Sequence, residues 1–288
     1  MPETILTRIS DHVHWMTPGA PDRPSLCAVA GSQTTLMLDA AASVAHMRLF
    51  LDAIAAAGVK SPRYIALTHW HWDHVFGAEV LPVPLIAHAD TAEALERMAG
   101  YDWGDVALDQ RVATGEEIAF CADNIKIELP EPRRVSIVLP DVVFRERLEM
   151  RMGGDVTCQI QHVGGDHAAD SCIVYVQPDR VLFLGDCLYP AIYAPAHYYT
   201  TRRLFPILDA ISTFDADIYI EGHGGEAMSK AGFQALADKL RLTGTLVDAI
   251  GADVPTVLAA YQAQTGQTPD EETQEIVTDF VTGLTAEG

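Results

Sequence analysis

The sequence predicts a mixed α/β chain, of the α+β kind, followed by a C-terminal helical extension. Three observations carry this. Strand and helix patterns alternate over the first hundred residues, short β runs broken by Pro and Gly fill the middle, and a second β-then-α rhythm precedes three consecutive helical patterns. With 288 residues, 49% of them hydrophobic, the chain has the material for a large core.

Taken in order, residues 26–30 and 35–38 read as strands, the second closing in Asp39. Residues 43–57 carry apolar side chains at helical spacing and stop at Gly58, a residue type common just past a helix end. Arg63 to Thr68 is a short apolar run after Pro62, a buried-strand signal. Residues 84–87 are strand-like and 89–99 helical. From 117 to 176 the pattern reads as short antiparallel strands and hairpins, punctuated by Pro130, Pro132, Pro140, Gly153 with Gly154 and Gly164 with Gly165. Val181 to Leu184 and Asp217 to Ile220 are then expected as strands with a helix over about 203–211 between them. The last stretch holds helices near 227–249, 253–264 and 270–284, with Pro255 suited to a first turn. The expected division is therefore a body over 1–226 and a helical extension over 227–288, which packs against the body or against a second subunit.

Composition excludes some functions. Lys and Arg number 19 against 40 Asp and Glu, a formal charge of -21, so most of the surface repels a phosphate backbone and nucleic acid is not an expected partner. The basic doublets Arg133–Arg134 and Arg202–Arg203 read as solvated surface pairs. No run reaches the length of a membrane span and the first ten residues lack the pattern of an export signal, so the expectation is a cytoplasmic protein without a membrane partner. The five cysteines are scattered with no CxxC pair, which points to small core residues rather than disulfides or a thiolate zinc site.

The chemistry concentrates in Thr68-His69-Trp70-His71-Trp72-Asp73-His74. Where an apolar strand ends, His69 and His71 stand two apart and project to one side, where they can share a metal ion. Asp73 and His74 follow as the chain turns into a helix and can address a second ion close by. Imidazole with carboxylate suits zinc, manganese or iron rather than calcium or magnesium. Trp70 and Trp72 alternate with the ligands and are expected to pack the core.

HxHxDH after a short strand resembles the signature of the metallo-β-lactamase superfamily, and further residues match that family's ligand set in order. His167, in Gly164-Gly165-Asp166-His167, looks like the third ligand of the first metal, with His162 as a local rival. Asp186, in Phe183-Leu184-Gly185-Asp186, looks like the carboxylate bridging both metals. His223, in Glu221-Gly222-His223-Gly224-Gly225, looks like the last ligand of the second. The resemblance covers about residues 1–226, and the Gly-Gly-Asp-His-Ala-Ala-Asp-Ser segment departs from the family's usual Gly-His-Thr-x-Gly.

The resemblance implies a four-layer αβ/βα sandwich with two divalent metal ions at one edge, zinc first, with manganese or iron as alternatives. It implies a hydrolase that uses a metal-bridging hydroxide on an ester, lactone, thioester or amide of a small molecule. Asp73, as ligand, and Tyr189, three residues beyond Asp186, are the candidate catalytic groups, Tyr189 because lactone-opening members carry a tyrosine there. The loop with Tyr193, His197, Tyr198 and Tyr199, and the stretch His12-Val13-His14-Trp15, are candidate pocket walls, although His12, His14 and His197 themselves read rather as surface or supporting histidines. Asp170 is a candidate to orient a ligand imidazole. His46 and His88 receive no role. The alternative is a mononuclear-iron oxygenase of the same fold, like the persulfide dioxygenases, and a third reading is a catalytically silent binding protein. An exported penicillin-type lactamase and a hydroxyacylglutathione hydrolase fit less well, the first for want of an export signal and the second for want of a Gly-Cys-Gly-Arg-like segment after Asp186.

Overall fold

A computed structural model describes residues 5–286. One sheet takes seven strands in chain order: β1 (Leu6–Arg8), β2 (Val13–Met16), β3 (Leu26–Ala30), β4 (Thr35–Leu38), β5 (Tyr64–Ala66), β6 (Leu85–His88) and β7 (Val142–Phe144). β1 to β4 run antiparallel and β4 to β7 parallel. The other sheet takes β8 (Arg147–Gly153), β9 (Val156–His162), β10 (Cys172–Gln177), β11 (Val181–Gly185), β12 (Ile218–Glu221) and β13 (Met228–Ser229) in reverse spatial order, with only β11 and β12 parallel.

Alternation along the strands builds the layers. Leu36 and Leu38 face Val174, Val176 and Phe183 in a core between the sheets. Met37 points the other way, into a core with α1 (Val44–Ala56) and α3 (Ala89–Met98) through Met47, Phe50, Ile54 and Leu95. Ile173, Leu182 and Leu184 point outward from the second sheet onto α6 (Thr201–Ser212), α7 (Lys230–Ile250) and α9 (Glu271–Ala286), meeting Ile207, Leu240 and Phe280. The result is the expected four-layer αβ/βα sandwich. α8 (Val254–Thr265) starts at an Asp253 cap with Pro255 in its first turn and packs beside α7 and α9. No helix among the described residues is long and apolar enough to cross a membrane.

One segment differs from expectation. Residues 105–128 form two helices, α4 (Asp105–Thr114) and α5 (Ala119–Glu128), and pairing resumes only at β7. The apolar residues of α5 look strand-like in sequence, yet the buried ones, Cys121, Ala122 and Ile125, share a helical face while Phe120 and Ile127 stay exposed. Gly115, at φ +76°, ends α4 in the left-handed region. Arg133, expected in solvent, is instead tucked in, its guanidinium donating to the carbonyls of Leu129 and Trp103 and pairing with Asp105. All five cysteines are buried and unpaired.

Candidate metal centre

The strand ends of both sheets meet at one edge of the sandwich. β5 runs into Thr68 and His69, and His71 precedes the single turn α2 (Trp72–Val75), which carries Asp73 and His74. The connection from β9 to β10 carries His167, the loop after β11 carries Asp186, and β12 delivers His223.

Two groups of ligand atoms result: His69, His71 and His167 in one, and Asp73, His74, Asp186 and His223 in the other, with the atoms of each group within 4.8 Å of one another. Asp186 Oδ2 lies 3.8 and 3.4 Å from Nε2 of His69 and His167, and 3.3 and 3.5 Å from Nε2 of His74 and His223. It therefore touches both groups. Nε2 of His69, His71, His74 and His167 is buried in each case with no hydrogen-bond partner among the described residues, and so is Asp186 Oδ1. Buried imidazoles that converge on a common point without partners fit a bound cation. All seven residues of the sequence reading are thus brought together. His162 is elsewhere, bonded to the Ala169 carbonyl and stacked on His88 at 3.9 Å.

Supporting groups hold the rings. His74 Nδ1 meets Asp39 Oδ2 at 2.8 Å, and Asp39 also accepts from the Thr68 amide and hydroxyl. Asp39 stands at φ +61° in the turn after β4, so the strand end is bent to aim its carboxylate at the second group. Thr68 Oγ1 is 3.0 Å from His69 Nδ1, the Pro190 carbonyl is 3.1 Å from His167 Nδ1, and Asp22 Oδ1 is 3.7 Å from His223 Nδ1. Glycine permits the approach at one point: a Cβ on Gly222 would stand 1.8 Å from Asp186 Oδ1. The Gly164–Gly165–Asp166 departure also acquires a reason, because Asp166 accepts from the Thr200 amide and hydroxyl and so pins the His167 loop to the start of α6.

Charge divides the two groups. Burial, and then neighbouring imidazoles, hold His69 and His71 far below the usual histidine range, so they are neutral and ready to ligate at neutral pH. Burial opposes the charged form of His74 and His223 as well, but Asp73 and Asp186 outweigh it, raising His74 well above that range and His223 to about 10. Burial raises Asp22 to about 7, helped by Asp73.

A cavity of about 230 Å³ opens onto this centre, walled by Asp22, Phe120, Tyr189, Pro190, Ile192 and His197 besides the ligands. Tyr189 borders it, and its hydroxyl oxygen accepts from the His223 amide at 3.1 Å. The loop beyond contributes His197 to the wall, and Tyr193 rests its ring 5.2 Å from that of His71. Tyr199 turns inward instead, donating to the Leu188 carbonyl under α9. His12-Val13-His14-Trp15 is not in the wall: Val13, His14 and Trp15 belong to β2 inside the sheet, and His12, just before it, pairs with Asp179. Asp170 orients no ligand ring. It accepts from the Thr91 hydroxyl at 2.7 Å, which ties the loop after His167 to α3. Trp72 is in the core as expected, and Trp70 packs half-buried against the same core while setting its ring 4.7 Å from that of His71. Asp39, Asp22 and Gly222 are the supporting residues that sequence reasoning missed. Only Asp39, at a strand end, left a trace there.

Among curated proteins none matches the chain. Similar solved structures include a metallo-beta-lactamase from Pontibacter korlensis, 17% identical over 82% of this chain and 98% of that one with a TM-score of 0.57. DIM-1 metallo-beta-lactamase is 15% identical over 82% and 98%, with a TM-score of 0.52. The sec-alkylsulfatase Pisa1 from Pseudomonas sp. is 14% identical over 96% of this chain but only 47% of its own length, with a TM-score of 0.66. These likenesses establish the fold. The model of the metallo-beta-lactamase superfamily matches residues 20–242, which is most of the chain, and the protein belongs to that superfamily.

Proposed function

We propose that the protein is a dinuclear metal-dependent hydrolase cleaving an ester, lactone, thioester or amide of a small molecule. The observation that carries this is the pair of ligand groups sharing Asp186, with partnerless buried nitrogens facing inward. When bound there, two divalent cations supply Lewis acidity and an acidified water as nucleophile. The chain's residues do the rest. Asp39 and Thr68 fix the tautomers of His74 and His69 by engaging Nδ1. Phe120, Pro190 and Ile192 keep the cavity largely apolar, which strengthens the electrostatics inside it. Tyr189 accepts from His223, so its own proton is left to bond a substrate oxygen or a leaving group, and burial holds the phenol well above its usual range as an un-ionised donor.

Sulfate esters belong among the candidate substrates, because the similarity to the alkylsulfatase extends over 96% of the chain where that to the lactamases covers 82%. The extension over 227–288 is read as support for the cavity wall: α9 receives the Tyr199 amide at the Asp279 carbonyl.

The test is metal analysis of protein purified without chelator or added metal, followed by ester, lactone, thioester and sulfate-ester assays. About two zinc or manganese ions per chain with metal-dependent turnover is the expected result. A single iron with oxygen uptake on persulfides overturns the reading in favour of the oxygenase. In the same assays His69→Ala and Asp186→Ala fold but lose turnover; full activity in either sinks the site.

A further inference from the structure

A further cavity, of about 540 Å³, adjoins the metal cavity, and Tyr189, Pro190 and His197 line both. His197 is exposed, so the two open side by side across it. The other walls include residues 232, 235, 236 and 239 of α7 and residues 272, 275, 276 and 279 of α9, and each set has the i, i+3, i+4, i+7 spacing of one helix face. The cavity is therefore a groove between two helices that runs up to the metal centre. The two sizes are complementary. The metal cavity, at about 230 Å³, is smaller than the roughly 300–1,000 Å³ usual for small-molecule sites, and with the groove added the cleft falls within that range.

The groove has walls of two kinds. Leu188, Met228, Leu236 and Ile276 offer it apolar surface. Lys239 is its one lysine or arginine among the described residues, and that charge is spent on Glu272 and Asp270. The carboxylates of Glu221, Glu275 and Asp279 make no hydrogen bond or ion pair among the described residues. Burial raises the Asp279 carboxyl above its usual range, with the His197 imidazole opposing that rise and Glu275 adding to it. An anion entering the groove thus meets uncompensated negative charge in a partly desolvated setting, whereas alkyl carbons gain by leaving water.

We propose that this groove is the second compartment of the substrate cleft and holds the non-reacting end of the substrate, an apolar chain whose tip is uncharged or cationic and not anionic. The inference rests on the hydrolase reading and deepens it. The reacting group lies in the metal cavity, Tyr189 stands at the junction, and the chain runs between α7 and α9. Binding energy from that remote end is what sets long substrates apart from short ones.

Two arms test it on the protein as purified. Kinetics compare p-nitrophenyl acetate, p-nitrophenyl octanoate and the mono-p-nitrophenyl ester of suberate, which matches octanoate in length and ends in a carboxylate. The expected kcat/KM is at least about tenfold higher for octanoate than for acetate, and at least about fivefold higher for octanoate than for the suberate ester. Calorimetry then uses octyltrimethylammonium and octanesulfonate, neither of which can be hydrolysed. One octyltrimethylammonium per chain is expected with a Kd on the order of 1 mM or tighter, and the sulfonate at least about tenfold weaker. Ala235→Trp, at an exposed position of α7, fills the groove, abolishes probe binding and lowers the octanoate-to-acetate ratio about tenfold. Circular dichroism checks its fold, and if it is not folded Glu275→Lys decides, with octanesulfonate expected to bind about fivefold tighter than to the wild type. Probe binding without turnover of any ester, lactone, thioester or sulfate ester fails the hydrolase reading and leaves the groove standing. Absence of saturable probe binding, equal or tighter binding of the sulfonate, equal kcat/KM for octanoate and acetate, or wild-type behaviour of the deciding variant overturns the proposal.

Discussion

The two ligand groups sit within a few ångströms of each other and are built on opposite electrostatic plans. His69, His71 and His167 form an all-imidazole group in which burial keeps at least His69 and His71 neutral. Asp73, His74, Asp186 and His223 form a mixed group whose carboxylates, backed by Asp39, hold protons on His74 and His223 when no cation is there. In the mixed group the proton occupies the electrostatic role of the metal. The first group is thus preset for a cation, whereas the second must exchange protons for one.

Among the described residues Asp186 is the one that touches both groups, so the largest effect should come from displacing it. Gly222→Ala puts a methyl where Asp186 Oδ1 now lies. It is expected to lower the affinity of both groups and turnover by about 10³-fold, with chelator competition and steady-state kinetics as the measurements. Loss at one group alone would mean that Asp186 does not link them. Next comes Asp39→Asn, which touches the mixed group directly through His74 and the all-imidazole group only at one remove, through Thr68 and His69. A loss of roughly 10- to 100-fold in one of two metal affinities is expected, and an equal loss in both would dissolve the distinction.

Acidity offers a milder probe of the same contrast. The raised pKa values of His74 and His223 mean that both are protonated at neutral pH without metal, so the cation must displace those protons. Affinity of the mixed group should therefore rise with pH, about tenfold per unit for each displaced proton, until pH passes the value near 10 for His223. His69 and His71, already neutral at pH 7, should contribute no such slope. Calorimetry in buffers of different ionisation enthalpy counts the protons, and equal counts for the two ions would contradict the assignment. The smallest effect expected is that of Tyr189→Phe: about tenfold in kcat with both metal affinities retained. A lost metal ion in that variant would make Tyr189 a support for His223 rather than a donor.

Four of the seven ligands were legible because they are neighbours in sequence, on a strand end and the turn after it. The other three needed the family resemblance, since β10, β11 and β12 bring them in from afar. What the sequence hid was support. Asp39 reaches His74 across 35 positions, and Asp22 approaches His223 from a loop clamped by Arg23 pairing with Glu128 of α5. That clamp joins distant segments in a way no local pattern announces. The same blindness covered α4 and α5, where burial is limited to Leu108 and Arg111 on one helix and Cys121, Ala122 and Ile125 on the other. Such narrow stripes give a weak periodic signal. The sandwich itself was easier, because β3, β4, β6, β10 and β11 are buried on both faces and read as apolar runs.

Tyr199 has a consequence for the order of assembly. Its amide bonds the Asp279 carbonyl, its ring packs on Phe280, and Gly283 lies so near that a Cβ there would stand 1.9 Å from the Tyr199 carbonyl oxygen. During synthesis every metal ligand leaves the ribosome before the α9 residues that fix this loop. A nascent chain can therefore gather its ligands while one wall is still ajar, and it closes that wall only once α9 has followed them.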